Sequence, residues 1–369
     1  LTTRYQYDEQ GNKIAQIDAE GRATRWTYDR QGRPLSRTLP LGQRESFVYD
    51  ALGQRTGHTA FNGETIATSY DTLGRPLQVS LPGKTRQYGY TASGQIASID
   101  EGGALYRYEY DARDRLIRAI DPNNRAIDYR YDVAGNRVAL DTARQRLELS
   151  FDALQRPTEV RATLDQGLPQ ITRYAYDAVG NRQSQTHPNG TQVAYSYDAR
   201  HRLKTLLHTT AAGVALLSLS YTVDASGLRT EIAETRPHPT AGQPAITRTT
   251  AYTYDAVKRL IREQVSGTQN QTRNTAHTYD AVGNRLTEAT TGTINKSHTH
   301  TFDANDRLTR TIGTGGTVDH VYDAAGNLIE SKQSGTTTAR YSFDAEGRLT
   351  AATIGLGAAQ KTLSYVYDP

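Results

Sequence analysis

Residues 174–186 read YAYDAVGNRQSQT, residues 252–262 read YTYDAVKRLIR, and residues 277–287 read HTYDAVGNRLT. With the Asp after the aromatic as anchor, the same phrase falls at Asp8, Asp29, Asp50, Asp71, Asp111, Asp132, Asp152, Asp177 and Asp198, and resumes at Asp255, Asp280, Asp303, Asp323, Asp344 and Asp368. Degenerate copies, Tyr90-Thr91-Ala92-Ser93-Gly94 and Val223-Asp224-Ala225-Ser226-Gly227, fill the gaps. Anchors lie 20 or 21 residues apart through most of the first 150 residues and 20 to 31 apart later. A catalytic motif is needed once. A period running from end to end is the mark of a repeat architecture.

Turn chemistry says what the period encodes. In D-A-x-G the Asp suits the first position of a type I turn, because its carboxylate accepts backbone N–H groups just ahead. A Gly three residues on supplies the left-handed conformation that closes a three-residue hairpin loop with a bulge. The expected turn pairs are Asp8 with Gly11, Asp29 with Gly32, Asp50 with Gly53, Asp132 with Gly135, Asp177 with Gly180, Asp280 with Gly283, Asp323 with Gly326 and Asp344 with Gly347. Of the sixteen loops wholly inside the chain, eleven have Gly there; the others have Asp114, Gln155, His201, Lys258 and Asp306. Gln and Lys tolerate positive φ poorly. Between phrases stand second turn signals such as Leu81-Pro82-Gly83, Glu101-Gly102-Gly103, Asp121-Pro122-Asn123-Asn124 and Pro188-Asn189-Gly190. Each period is therefore two short strands and two turns, and the chain reads as an all-β antiparallel meander of hairpins.

The aromatics follow this frame. Of 24 tyrosines, thirteen stand just before the anchor and ten stand two residues earlier, with only Tyr106 outside the pattern. Side chains two apart share a strand face, so a Tyr-x-Tyr pair puts two rings on one side, where packing is the expected role. Residues 206–250 lengthen the repeats and carry three of the twelve prolines, which predicts longer strands and an exposed loop at 235–246. The expected organisation is one array over residues 1–369, about sixteen repeats. Leu1 is preceded by no initiating Met, and Tyr367-Asp368-Pro369 opens another repeat, so both ends read as truncated repeats of a longer protein.

Composition narrows the chemistry. Forty-three Lys and Arg against 39 Asp and Glu give +4. Only seven of the bases are Lys, and many arginines sit at fixed places after the turn, as in Asn136-Arg137, Asn181-Arg182, Asn284-Arg285, Arg115-Leu116 and Arg307-Leu308. Arginine there can pair with the turn Asp or a neighbouring repeat, so no nucleic-acid partner is expected. No apolar run is long enough for a membrane span. There is no Cys, hence no disulfide or thiolate metal site, and no G-x-S-x-G, H-E-x-x-H or P-loop. His277, His300 and His320 replace the earlier aromatic in three consecutive repeats, with His298 on the face of His300. Strands of successive hairpins lie about 10 Å apart, whereas a zinc ligand sits ~2 Å from the ion. Polar-aromatic packing or a pH-sensitive patch is the expectation, with no metal or other cofactor and no catalytic residue.

The phrase Y-D-x-x-G-[NR]-[RL], clearest at Tyr131–Arg137, Tyr176–Arg182, Tyr279–Arg285 and Tyr322–Leu328, resembles the YD repeat of the Rhs family, shared with the C component of insecticidal Tc toxins and with teneurins. The resemblance implies a sheet wound into a hollow shell, a cocoon. In bacterial members the shell encloses a toxic C-terminal domain, which is often freed by autoproteolysis and delivered by a secretion system. The family's self-cleaving region carries D-P-x-G motifs, but Asp121-Pro122 runs into Asn123-Asn124, and Asp368-Pro369 ends the chain. The implied role is a non-enzymatic wall segment of a secreted toxin, used in bacterial competition. Its partners would be the rest of its own shell, an enclosed toxin domain and secretion components. A cell-surface adhesion or carbohydrate-binding protein is the alternative.

Overall fold

The computed structural model describes residues 2–165, 167–269, 271–355 and 359–369. Thirty-three strands, from β1 (Arg4–Tyr7) to β33 (Lys361–Ser364), belong to one unclosed sheet, and no α-helix occurs among the described residues. In every pairing described, a strand runs antiparallel to its neighbour in sequence, as β1 does to β2 (Lys13–Ile17) and β32 (Leu349–Ile354) to β33.

The hairpin after each YD phrase has one local design. Asp8 N–H donates to the Asn12 carbonyl, and Gly11 N–H donates back to the Asp8 carbonyl. The register slips between Gln6 and Tyr7, leaving Tyr7 opposite Lys13. This is a type I turn with a glycine bulge. The same slip precedes the turn at Tyr28, Tyr49, Tyr131 and Tyr176. The turn imposes positive φ on its fourth residue whatever that residue is. The eight expected turn glycines lie between +75° and +106°, while Asp114, Gln155, His201, Lys258 and Asp306 are held at +57° to +68°. Gln155 and Lys258 therefore show the register overriding residue preference.

Alternation sets the faces. In β17 (Gln170–Tyr176), Tyr174 and Tyr176 are half-buried, while Arg173 and Ala175 between them are exposed. In β3 (Ala23–Tyr28), Trp26 and Tyr28 are half-buried and Arg25 and Thr27 exposed. The longest strands are β21 (Ala215–Val223) and β23 (Ile246–Tyr254), at nine residues each; the segment joining β22 (Arg229–Arg236) to β23 is mostly exposed.

Two compact units divide the chain. The first comprises Leu1–Leu105, His277–Glu288 and Lys296–Pro369; the second comprises Tyr106–Ala276 and Ala289–Asn295. The buried apolar side chains are few and mostly small: Ala15, Leu81, Ile99, Ala339 and Ala352 in the first, and Ala139, Val193 and Ile246 in the second. A sheet with so little buried apolar surface must be held by other means.

Two substitutions test the turn geometry. An added Cβ at Gly180 meets nothing closer than Arg156 Nη1 at 3.6 Å, so only its φ of +97° opposes a side chain. Gly180→Val should lower stability by about 1–2 kcal/mol, and an unchanged melting temperature would refute the assignment. Gln155→Gly should act in the opposite sense, raising stability by roughly 0.5 kcal/mol once the added freedom of the unfolded chain is subtracted.

Candidate functional site: a latch repeated between hairpins

The turn carboxylate is a hub. Asp111 Oδ1 accepts the backbone N–H groups of Arg113 and Arg115 at 2.9 and 3.1 Å, while Oδ2 accepts Arg115 Nε at 2.7 Å. Arg115 does not stop at its own turn. Its Nη1 donates to the Asp132 carbonyl of the next repeat at 3.1 Å, and its Cζ lies 4.7 Å from the ring centroid of Tyr131. The Tyr131 hydroxyl donates in the reverse direction, to the Leu116 carbonyl at 2.8 Å. Two consecutive repeats are thus joined by a fork, a ring and a hydroxyl.

The unit recurs. Arg33 bonds Asp29 at 2.6 Å, reaches the Asp50 carbonyl at 3.4 Å and lies over Tyr49, whose hydroxyl finds the Pro34 carbonyl at 3.0 Å. Arg307 repeats this with Asp303, the Asp323 carbonyl and Tyr322; Arg348 does so with Asp344, the Asp368 carbonyl and Tyr367. Where Asn follows the Gly, its amide replaces Nε on the carboxylate: Asn12 on Asp8, Asn136 on Asp132, Asn181 on Asp177, Asn284 on Asp280 and Asn327 on Asp323, all at 2.8–2.9 Å. Asp50 accepts the backbone N–H groups of Leu52 and Gln54, each at 2.9 Å.

Arginine's role depends on one residue of spacing. Four residues after the anchor it pairs with the turn Asp, as at Arg115 and Arg307. At the fifth, after Asn, it goes to an aromatic of its own repeat: Arg137 lies over Tyr129 at 5.4 Å and Arg182 over Tyr174 at 5.0 Å. Sequence analysis missed that second turns also use the latch, as in Asp18–Arg22 at 2.8 Å and Asp121–Arg125 at 2.6 Å. The signal was present as Asp-x-x-x-Arg without its preceding aromatic.

Several of these carboxylates, Asp111, Asp198, Asp8, Asp132 and Asp177 among them, are held ionised. The Arg115 side chain bonding Asp111 draws its carboxyl down to about 2, and the Arg202 backbone N–H does the same for Asp198. Asn side-chain bonds lower Asp8, Asp132 and Asp177. An acid so saturated with donors has no proton to give and little basicity to offer. The histidines sit as cross-strand partners of hydroxyl residues. His300 Nδ1 is 3.0 Å from Thr311 Oγ1, directly opposite it, and His320 Nδ1 is 3.2 Å from Ser331 Oγ. Burial pushes both rings toward the neutral form. His298 and His300 stack at 6.2 Å, and His298 Nδ1 lies 3.9 Å from Glu288. Among the described residues no three His, Asp or Glu side chains converge to hold a metal ion.

A depressed carboxyl pKa contributes stability that is fully present above the unfolded value and lost as pH falls through the folded one. For Asp111 and Asp198 that window runs from 3.8 down to about 2. Circular dichroism melts should therefore drop steeply between pH 4 and pH 2, the more so because similar latches recur. A melting temperature flat across that window would show the latches to be energetically idle.

Comparisons with known proteins agree with this geometry. The RHS Repeat family model matches residues 14–44, 28–65, 90–126, 110–147 and 176–215, and the Teneurin YD-shell model matches residues 215–369. Toxin protein Tse5 of Pseudomonas aeruginosa is 32% identical over 152 residues, covering 36% of this chain and 12% of that protein. Double-stranded DNA deaminase toxin A of Burkholderia cenocepacia is 34% identical over 80 residues, covering 21% and 6%. In the crystal structure of TcdB2-TccC3-Cdc42, a chain 17% identical superposes with a TM-score of 0.76 over 98% of this chain and 22% of its own length. The Photorhabdus luminescens Tc holotoxin pore gives the same values. This chain therefore spans about an eighth or less of the two toxin relatives and about a fifth of the matched structures' chains. The latched hairpin array and the two family models, which together match most of the chain, agree that the chain belongs to the Rhs/YD-repeat family of shell proteins, related to toxin delivery proteins.

Proposed function

We propose that residues 1–369 form one continuous stretch of the wall of a protein shell enclosing an effector domain carried by the same longer toxin, and that this stretch performs no catalysis. The carrying observation is the saturation of the turn carboxylates by donors of their own turn, whose arginines go on to bond the next repeat, which makes the recurrent motif a fastening rather than a reactive group. Toxins among the relatives support the encapsulating role over adhesion or carbohydrate binding. The wall would travel with its cargo out of the producing cell, its partners being the remaining shell and the delivery machinery. No described helix is long and apolar enough to cross a membrane.

The test is protection of the cargo. The longer protein should be prepared with and without residues 1–369, and limited proteolysis of its C-terminal domain followed in both. We expect the domain to resist in the intact protein and to be cut rapidly in the deletion. Equal resistance would overturn encapsulation and favour the adhesive role. A C-terminal domain that fails to fold alone is distinguished by measuring its activity before protease is added.

A further inference from the structure

The latch has one part that not every repeat supplies. Where Arg stands four residues after the anchor, its guanidinium meets its own turn carboxylate, the carbonyl of the next anchor and the ring before that anchor, as Arg115 meets Asp111, Asp132 and Tyr131. Where Asn stands there, the shorter amide takes the carboxylate, and no guanidinium comes forward from that place. The next turn registers the difference. A Cβ added at Gly53 or Gly180 would stand 3.3 or 3.6 Å from Nη1 of Arg33 or Arg156. The turn-closing residues that bear side chains, Asp114, Gln155, His201, Lys258 and Asp306, all follow repeats without that arginine.

One such gap is filled from a distance. Asn284 Nδ2 donates to Asp280 Oδ2 at 2.8 Å, and the next anchor's carbonyl, that of Asp303, accepts Arg22 Nη1 at 3.1 Å from 281 residues away. Arg22 Nη2 donates to Asp306 Oδ1 at 2.8 Å, the same atom that accepts Asn284 Nδ2 at 2.7 Å. The place left by an Asn thus accepts a guanidinium that its own repeat does not carry.

The gap after Asn181 is open. Asp177 Oδ2 accepts Asn181 Nδ2 at 2.8 Å, and Arg182 turns to Tyr174 of its own repeat, 5.0 Å away. Ahead lie the Tyr197 ring and the Asp198 carbonyl, the counterparts of Tyr131 and Asp132. Around them is a cavity of about 260 Å³ lined by Asp177, Val179, Asn181, Tyr197, Asp198 and His201. His201 Nδ1 borders it, 3.1 Å from Asn181 Nδ2. An ionised carboxylate, a carbonyl and an aromatic face suit a planar cation with several in-plane donors better than a point-like ammonium.

We propose that the slot bounded by Asp177, Tyr197 and the Asp198 carbonyl is a binding site for an alkylguanidinium from outside the repeat array, either an arginine side chain of the C-terminal domain or a free arginine-like solute. The inference goes beyond the wall reading and does not depend on what the wall encloses.

The test titrates the longer protein with ethylguanidinium by ligand-observed NMR, with ethylurea as the uncharged isostere, both intact and with the C-terminal domain deleted. A filled variant, Asn181→Arg with His201→Gly, restores the Arg-then-Gly pairing and supplies the slot with a guanidinium of its own. The difference between parent and filled variant isolates this slot. We expect saturable ethylguanidinium binding that the filled variant lacks, at least about tenfold tighter than that of ethylurea. Binding to the intact protein assigns the slot to a free solute; binding that appears only on deletion assigns it to an arginine of the C-terminal domain. No difference between parent and variant in either form overturns the inference, as it would if another hairpin of the wall had filled the slot. Equal binding of ethylurea overturns it too. Should the filled variant melt below the parent, Tyr197→Leu replaces it, with binding expected to weaken about threefold or more through loss of the ring; unchanged binding there also overturns the inference.

Discussion

The structure depends on what happens to the backbone where the hairpin bulges. The slip at the residue before each anchor interrupts the ladder, and the carbonyl five residues past the anchor, such as Leu116 or Pro34, is then met by a hydroxyl from the next repeat. Unmade backbone bonds cost about 1–3 kcal/mol when water is excluded, so the Tyr hydroxyl removes a liability that the turn itself creates. A Phe at that site could fill the space and could not make the bond. The aromatic preceding the anchor is therefore mostly Tyr: thirteen Tyr stand there against Phe151, Phe302 and Phe343.

Arginine completes the exchange in the other direction. A guanidinium offers donors in a fixed plane, so one group can hold its own Asp, reach the next repeat's carbonyl and lie against a ring. Half-exposed ion pairs each contribute only about 0.2–1 kcal/mol, and no single latch would support a fold with only eight buried apolar side chains among the described residues. Multiplicity changes that. Coupling chiefly between neighbouring repeats makes stability nearly a sum over repeats, and the small core ceases to be a defect.

The turn was legible because its code is local: Asp, Gly and the intervening positions lie within five residues, and the chemistry that joins them needs no distant partner. The split between Arg115 and Arg137 was only half legible, since a one-residue offset sends the guanidinium to a different repeat and sequence supplies no direction. Asp18 and Asp121 were missed as latches because the preceding aromatic was treated as part of the motif, whereas the carboxylate needs only a donor four residues on. Gln155 and Lys258 adopt left-handed backbone against their preference because the surrounding register leaves no alternative. His300 and Thr311 could not be paired in advance. Which residue faces which across a hairpin depends on where the bulge falls, and a slip of one residue exchanges the faces.

A fold fastened in this way makes few demands on sequence. Per period of 20 or 21 residues, the latch fixes the Tyr, the Asp, the turn-closing residue and the Arg or Asn after it, and the remaining contacts use backbone atoms. That is about a fifth of the positions, and elsewhere a strand needs only alternation. A chain 17% identical can then share the fold at a TM-score of 0.76, because what is retained is the fastening and not the composition of a core. The two faces of such a sheet are left free to vary without loss of the fold. Freedom of that kind suits the proposed wall role, while the turns, which join repeat to repeat, stay constrained.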